Sequence, residues 1–506
     1  MIDRFLFWID AELIHFPLAK FLQSKYDADF FAIIDIPYPS KKFFLEQKLV
    51  KFQKVWYYRD NVSTQMQKPD LNYLASFEKK YKINLWQLAF NDRYFFRYKK
   101  YHKFTKDEIL WILEQECKLF EKIITQVHPD FFLVKLYADH HTHLLYKLCE
   151  RVGTKILMLT PTRLAKRSII SSHFDTLNST NIINETVENQ IEIKKDLEDF
   201  IENIIPERQK ISQRRWTFKP SLKEQIDAAL KFFVGTDFTA YRNYFPNYGK
   251  TRWKVMTERI RVGARKSKSK SFLEKNSLNA IPTGKSFVFF PLHVEPERTI
   301  SIDAPFHTNQ IEIISNIAKS IPINFELFVK EHPQQIIAGG RDLSFYKKIL
   351  ELPNVRLIHP SVLSKDLMKK CSLIITINGT VGLEGQFYGK PVITFVDTVY
   401  SLLPTVYRLK NFEELPEAIR SSLKKTVDPT ISRNFKQYLE NNTFEFSWDD
   451  LSLDMAKKFF YGGFFGEVQI SSKQMEEFMK EKQHVFEFLA DEHIKKINLY
   501  KKSKNN

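Results

Sequence analysis

The chain has 506 residues, with 77 Lys+Arg against 60 Asp+Glu and a net charge of +17. Hydrophobic residues at 43% and charged residues at 27% exclude disorder as the main state and leave room for two or three domains. Three scattered cysteines without a CxxC pair exclude a disulfide framework or a Cys-rich zinc site, and no uninterrupted apolar run reaches the roughly 18 residues of a membrane span.

Residues 4–9 (RFLFWI) and 29–34 (DFFAII) are apolar-aromatic runs separated by a helix-compatible segment at 15–25. That alternation predicts a βαβ unit with parallel strands. The start, MIDRFLFWIDAELIHF, lacks a basic leader and is broken by Asp10 and Glu12, so it reads as a first strand rather than a signal peptide. A third strand is expected at 52–58. Over 106–127, Ile109, Ile112, Leu113, Leu119 and Ile123 recur at helical spacing, with Thr105 and Glu108 spaced as a capping box. A strand at 131–134, a helix at 141–152 and a strand at 155–159 complete an α/β pattern.

Residues 185–250 read as a polar, helical insertion. The window 250–275 holds ten basic and two acidic residues, and is expected to be a basic connector with a flexible loop around 264–271. From 286 a second alternation begins: strands at 286–290, 325–329, 354–358, 373–377 and 391–395, with helices at 308–319, 342–350, 364–370 and 381–388. A further helix is expected at 410–425, and a helical C-terminal region with a Lys-rich tail follows. The predicted division is therefore 1–275, 276–425 and 426–506.

Ligands of open α/β sheets bind outside the carboxyl ends of the strands. All five strands of the second pattern end in polar, small or charged residues. His293 and Glu297 follow the first. Lys330, Glu331, His332 and Pro333 follow the second, with Arg341 beyond Gly339 and Gly340. After the strand at 373–377 come Asn378, Gly379 and Thr380, and then Glu384. Glycine is scarce, 14 in all, yet four fall at 379, 382, 385 and 389. A small polar loop opening a helix suits a phosphate, with Thr380 expected to cap the helix and Glu384 to accept from ribose hydroxyls. The loop is not a P-loop, because no GK[ST] follows.

PLHVEPE (291–297), VKEHP (329–333), GGRD (339–342), LPNVRLI (352–358) and ITINGTVGLEGQFYGKPVI (375–393) together resemble the capsule polysaccharide biosynthesis family. That family is similar to bacterial Kdo transferases and, more remotely, to bacterial sialyltransferases. The resemblance implies a GT-B glycosyltransferase: two Rossmann-like domains facing across a cleft, the C-terminal one holding the nucleotide-sugar donor. His332 with Pro333 would then contact the donor phosphate, Asn378, Gly379 and Thr380 would form the phosphate loop, and Glu384 would bind ribose. The acidic motif of the sialyltransferase base has no match here.

The N-terminal domain would supply acceptor contacts and any general base. The strand-end candidates are Asp10 with Glu12, Asp35, and Asp139 with His140, His141 and His143. The HHxH cluster reads as helix-surface or acceptor-contact residues rather than a metal site, and no metal or cofactor is expected. The implied reaction moves a sugar from a CMP-, UDP- or GDP-linked donor to a surface or capsular polysaccharide or a lipid-linked glycan. The alternatives are a sugar-nucleotide epimerase of the UDP-GlcNAc 2-epimerase type and, more remotely, a nucleic-acid-binding protein. For the latter, no RRM, KH, helix-turn-helix or zinc pattern occurs. Nucleic acid is therefore not an expected partner. The expected location is cytoplasmic, with the basic segments attaching the protein peripherally to an anionic inner membrane face.

Overall fold

A computed structural model describes residues 2–36, 40–62, 65–97, 101–164, 166–175, 192–204, 244–459 and 470–505. The first lobe carries β1 (Asp3–Asp10), β2 (Ala28–Asp35), β3 (Lys54–Tyr57), β4 (Phe131–Lys135), β5 (Lys155–Pro161) and β6 (Arg167–Ser171). The second carries β7 (Ser286–Pro291), β8 (Phe325–Lys330), β9 (Val355–Ile358), β10 (Leu373–Thr376), β11 (Val392–Thr394) and β12 (Val406–Arg408), and β13 (Phe444–Glu445) comes last. The first sheet runs β13-β6-β5-β4-β1-β2-β3 and the second β12-β11-β10-β7-β8-β9. All pairings of the second sheet are parallel, while β5–β6 and β6–β13 are antiparallel.

The central strands are apolar without alternation because helices cover both sheet faces. In β1, Phe5, Phe7 and Ile9 enter one core and Leu6 and Trp8 the other. In β10, Leu373 and Ile375 face one side and Ile374 the opposite side. Thr105 and Glu108 form the expected capping box of the helix Lys106–Val127. The antiparallel strands β6 and β13 and the short β12 have no counterpart in the expected element list.

Two expectations change. The basic window is not a loop at 264–271 but part of one continuous helix, Arg252–Asn276, started by the Thr251 side chain, which accepts from the Lys254 amide. Lys and Arg are good helix formers, Ser269 and Leu273 are buried, and the Ser269 hydroxyl donates to the Arg341 carbonyl at 2.5 Å. Most of the basic side chains point outward, and Trp253 and Ile260 are 76% and 70% exposed beside them.

The C-terminal region is also shared between the lobes rather than set apart. Phe435, Tyr438 and Leu439 pack in the second lobe. Trp448, Met455, Phe478, Phe486 and Ile497 complete the core beneath β1, β2 and β4. Of the expected insertion at 185–250, only 192–204 and 244–250 lie among the described residues. There Ile193, Leu197 and Ile201 join the second lobe's core.

Candidate active site

The order β9-β8-β7-β10-β11-β12 turns back between β7 and β10, which opens a crevice where the following loops diverge. A cleft of about 580 Å³ lies there, walled by both lobes. His293, Glu297, His332, Asn378, Gly379 and Thr380 line it.

His332 is set by its neighbours. Pro333 begins the short helix Pro333–Ile337, and the Gln334 amide donates to His332 Nδ1 at 3.2 Å. Nδ1 is thus an acceptor, and the neutral ring carries its proton on Nε2. Burial, followed by the charges of Lys330 and Arg341, pushes the ring down to about 4. The result is a neutral N–H donor at the cleft.

His293 is buried, and neither of its ring nitrogens has a hydrogen-bond partner among the described residues. Burial first, then His332, Arg341 and Arg163, holds it at about 3. A Cβ on Gly379 would stand 2.7 Å from Thr376 Oγ1 and 3.4 Å from His293 Nε2, so this close approach requires glycine.

The loop after β10 differs from expectation in two respects. Gly379 is the N-cap of the helix Thr380–Phe387, so Thr380 is the first helical residue and its hydroxyl makes no cap bond. Of the four clustered glycines, only Gly379 lines the cleft. A Cβ on Gly382 would strike the Tyr400 ring at 2.6 Å, and one on Gly385 would strike Ile374 at 2.3 Å, so these two serve packing. Gly389 turns the chain at φ +70°. Asn378 donates from Nδ2 to the Thr299 carbonyl at 2.9 Å, while its buried Oδ1 is unpaired among the described residues.

Lys330, Glu331 and Arg341 lie behind the cleft. Glu331 accepts from Arg341 Nε at 2.7 Å, from the Tyr346 hydroxyl at 2.8 Å and from the His332 amide at 2.6 Å. Arg341 also donates to the His293 carbonyl and pairs with Glu295 at 3.5 Å. Its fork therefore faces inward, not toward a ligand, and ties the β7 and β8 loops together. Lys330 donates to Ser364 at 3.1 Å, and burial lowers it to about 8. Glu384 is buried in the helix after Gly379 and is not a lining residue. Glu297 lines the cleft, where burial raises its carboxyl above the usual range.

Asp10, Asp139 and His140 are not brought into the cleft. Asp10 binds Lys135 at 2.5 Å, and burial raises its carboxyl against the lowering effect of Lys135. Asp139 pairs with Arg93 at 3.2 Å. The His140 side chain is wholly inaccessible, with both nitrogens facing carboxylates of Asp92 and Glu116. The three histidines of HHxH are all buried, which corrects the helix-surface expectation.

Two arginines escaped the sequence reading of the site. Arg163 grips Asp175 at 2.6 and 2.8 Å and donates to the Asn378 carbonyl at 2.8 Å, joining the first lobe to the loop after β10. Arg298 donates to the Tyr137 carbonyl at 2.7 Å, pairs with Asp303 at 2.7 Å and lies 4.4 Å from the Phe174 ring. The signal for Arg163 was its place just past β5, in TPTR (160–163).

Four buried histidines and the half-buried His332 are held neutral by desolvation: His15 and His143 at about 3 and His493 at about 4, besides the two in the cleft. Their folded values lie below the unfolded 6.5, so the stability they confer is present above pH 6.5 and lost as pH falls toward 4. Thermal melts from pH 7.5 to 4.5 should therefore show a steady fall in Tm beginning near 6.5, less steep in His493→Gln. A flat profile over that range would contradict the assignment.

Two Rossmann-like sheets whose carboxyl ends share one cleft define a GT-B type of architecture. Residues 184–409 match the family described as capsule polysaccharide biosynthesis protein. Protein FixF of Sinorhizobium fredii (strain NBRC 101917 / NGR234) is 28% identical over 174 residues, 33% of this chain and 40% of FixF. The chain thus spans well under half the length of that curated relative. Among solved structures, KpsC of Thermosulfurimonas dismutans, a beta Kdo 2,4 transferase, is 13% identical with a TM-score of 0.29, covering 61% of this chain and 87% of KpsC. UDP-GlcNAc 2-epimerase of Methanocaldococcus jannaschii in complex with UDP-GlcNAc and UDP is 13% identical with a TM-score of 0.25, covering 87% and 99%. Neither superposition is close enough to carry function across.

Proposed function

We propose that this protein is a glycosyltransferase that moves a sugar from a nucleotide-sugar donor to a capsular or other surface glycan, or to its lipid-linked precursor. The observation that carries this reading is the meeting, in one interlobe cleft, of a neutral His332 N–H donor, the unpaired His293 ring and the helix start at Gly379. The family match over 184–409 supports it. Substitution at the anomeric carbon leaves negative charge on the departing phosphate. Nε2–H of His332 and the helix-start amide of Thr380 would stabilise that charge as it develops.

The acceptor proton needs a base at the cleft. Among the described residues lining the cleft, Glu297 and Asp449 carry carboxyl groups. Of these, Glu297 has a raised proton affinity, which suits proton exchange nearer neutral pH. Metal-independent chemistry fits this arrangement of N–H donors. The outward-facing basic helix Arg252–Asn276, with exposed Trp253 and Ile260, suits peripheral contact with an anionic membrane. No described helix is long and apolar enough to cross a membrane.

A thermal-shift series with CMP, UDP and GDP tests the donor class. Because a ligand that binds only the folded chain stabilises it by about 2.7 kcal/mol at a hundredfold excess over Kd, one nucleotide should raise Tm well above the others. Indifference to all three would reject a nucleotide-sugar site. Incubating the protein with the matching sugar nucleotide, with and without glycan acceptor, then separates transfer from epimerisation. Product formed without acceptor would overturn the transferase reading.

A further inference from the structure

Beneath the first lobe's surface lies a cluster that the cleft does not use. Glu116 on the helix Lys106–Val127 meets His140 and His141 at the start of the helix His140–Arg151. One ring nitrogen or carboxylate oxygen from each of the three lies within 4.8 Å of the other two, and all three residues are buried. We propose that Glu116, His140 and His141 form a site for a divalent transition metal ion, with zinc the best fit to a set of two imidazoles and one carboxylate.

Three features separate this cluster from an ordinary buried salt bridge. First, each histidine has one nitrogen facing an outer carboxylate, leaving the other for a metal. Asp92 Oδ2 lies 2.8 Å from His140 Nδ1 and also accepts from the His140 amide at 3.0 Å. Asp35 Oδ2 lies 3.4 Å from His141 Nε2. Metal-bound histidines almost always donate their other ring N–H to a carboxylate, a backbone carbonyl or water, and here carboxylates take that place. Secondly, His141 Nδ1 is buried and makes no hydrogen bond among the described residues. A buried acceptor or donor left unmade is costly, and a metal–nitrogen bond would satisfy it. Thirdly, the charges do not balance. Asp92, Glu116 and Asp35 face a single guanidinium, Arg59, which pairs with Asp35 at 2.8 Å. Asp92 and Glu116 favour the imidazolium form of His140, so one negative charge remains in a region closed to water, and a divalent cation in place of that proton would balance the set.

His140 Nε2 and Glu116 Oε2 stand 2.9 Å apart. Two atoms bound to one zinc at about 2.0–2.1 Å in a tetrahedral set are separated by a few tenths of an ångström more, so a small opening of this pair makes room. The Tyr58 hydroxyl on Glu116 and the Asp92 and Asp35 carboxylates would then fix the ligands from outside. With no accessible face, the site would be structural, clamping two helices whose ligands lie 24 residues apart.

The test is metal analysis of the full-length protein purified without chelator, with His140→Gln and His141→Gln alongside. About one equivalent of zinc per chain is expected in the wild type, and less than about a tenth in either variant. Wild-type protein stripped with dipicolinate should lose several degrees in Tm and recover them on adding zinc chloride. Cobalt chloride added to the stripped protein should give visible d–d bands of a four-coordinate site. This cobalt titration decides the matter even if the variants fail to fold. Substoichiometric metal in the wild type with no cobalt bands, or full metal content in a folded His141→Gln protein, would overturn the proposal.

Discussion

His332→Ala is expected to lower kcat for sugar transfer by about 10²–10³-fold, the usual effect of removing one preorganised donor from a developing anion. The Gln334 amide occupies Nδ1, so the ring is held with Nε2–H as its only donor. A proton held at about 4 keeps the imidazole neutral throughout the working range, so the loss should be the same at pH 6 and pH 8. The loss should fall mainly on kcat rather than KM, because the leaving phosphate gains charge only as the bond breaks. His332→Gln, whose amide can still donate, should recover part of the activity. Steady-state kinetics of the three proteins check this, and wild-type turnover in the alanine variant would remove His332 from the site.

Arg341→Ala should strongly destabilise the second lobe, costing about 3–5 kcal/mol, because it leaves Glu331 charged and buried without its partner. Glu331 is fully buried and Arg341 nearly so, and no solvent is at hand to replace the pair. The double variant Arg341→Met with Glu331→Gln should be closer to wild type, since removing the charge of both partners leaves no buried charge unpaired. Urea unfolding followed by tryptophan fluorescence and circular dichroism distinguishes these cases. A single variant milder than the double would show that the pair is not coupled. The loss also bears on the cleft. Arg341 holds the His293 carbonyl and Glu331 the His332 amide, so both histidines are positioned by this pair without its touching a ligand.

Much of the fold was legible because central parallel strands are apolar runs that little else explains. RFLFWI, DFFAII, SFVFF and LIITI each became a strand within a residue or two of the expected limits. The Thr105–Glu108 box was equally plain, since both partners lie within one turn. The site was legible only as strand ends. His293, His332 and Asn378 to Thr380 converge as the topology requires, but which side chains face inward depends on partners far along the chain. His140 is sealed by Asp92 and Glu116, 48 and 24 residues away, and Arg341 turns from the cleft because Glu331 and the His293 carbonyl lie behind it. The clustered glycines misled for a related reason. Scarcity marked them, but Gly382 and Gly385 answer to Tyr400 and Ile374, contacts set by helix packing.

The return of the last helices to the first lobe bears on how the chain is made. Phe5, Phe7 and Ile9 belong to a core that also needs Met455, Phe478, Phe486 and Ile497. On a ribosome adding about 5–20 residues per second, strands β1 to β6 of the first sheet have been made roughly 15–65 s before those residues emerge. During that interval one face of β1, β2 and β4 is uncovered, while the second lobe can close over its own strands in order of synthesis. The lobe made first is therefore the lobe finished last. A nascent chain released short of residue 448 would present that aromatic face to solvent, and to the chaperones that bind such surfaces.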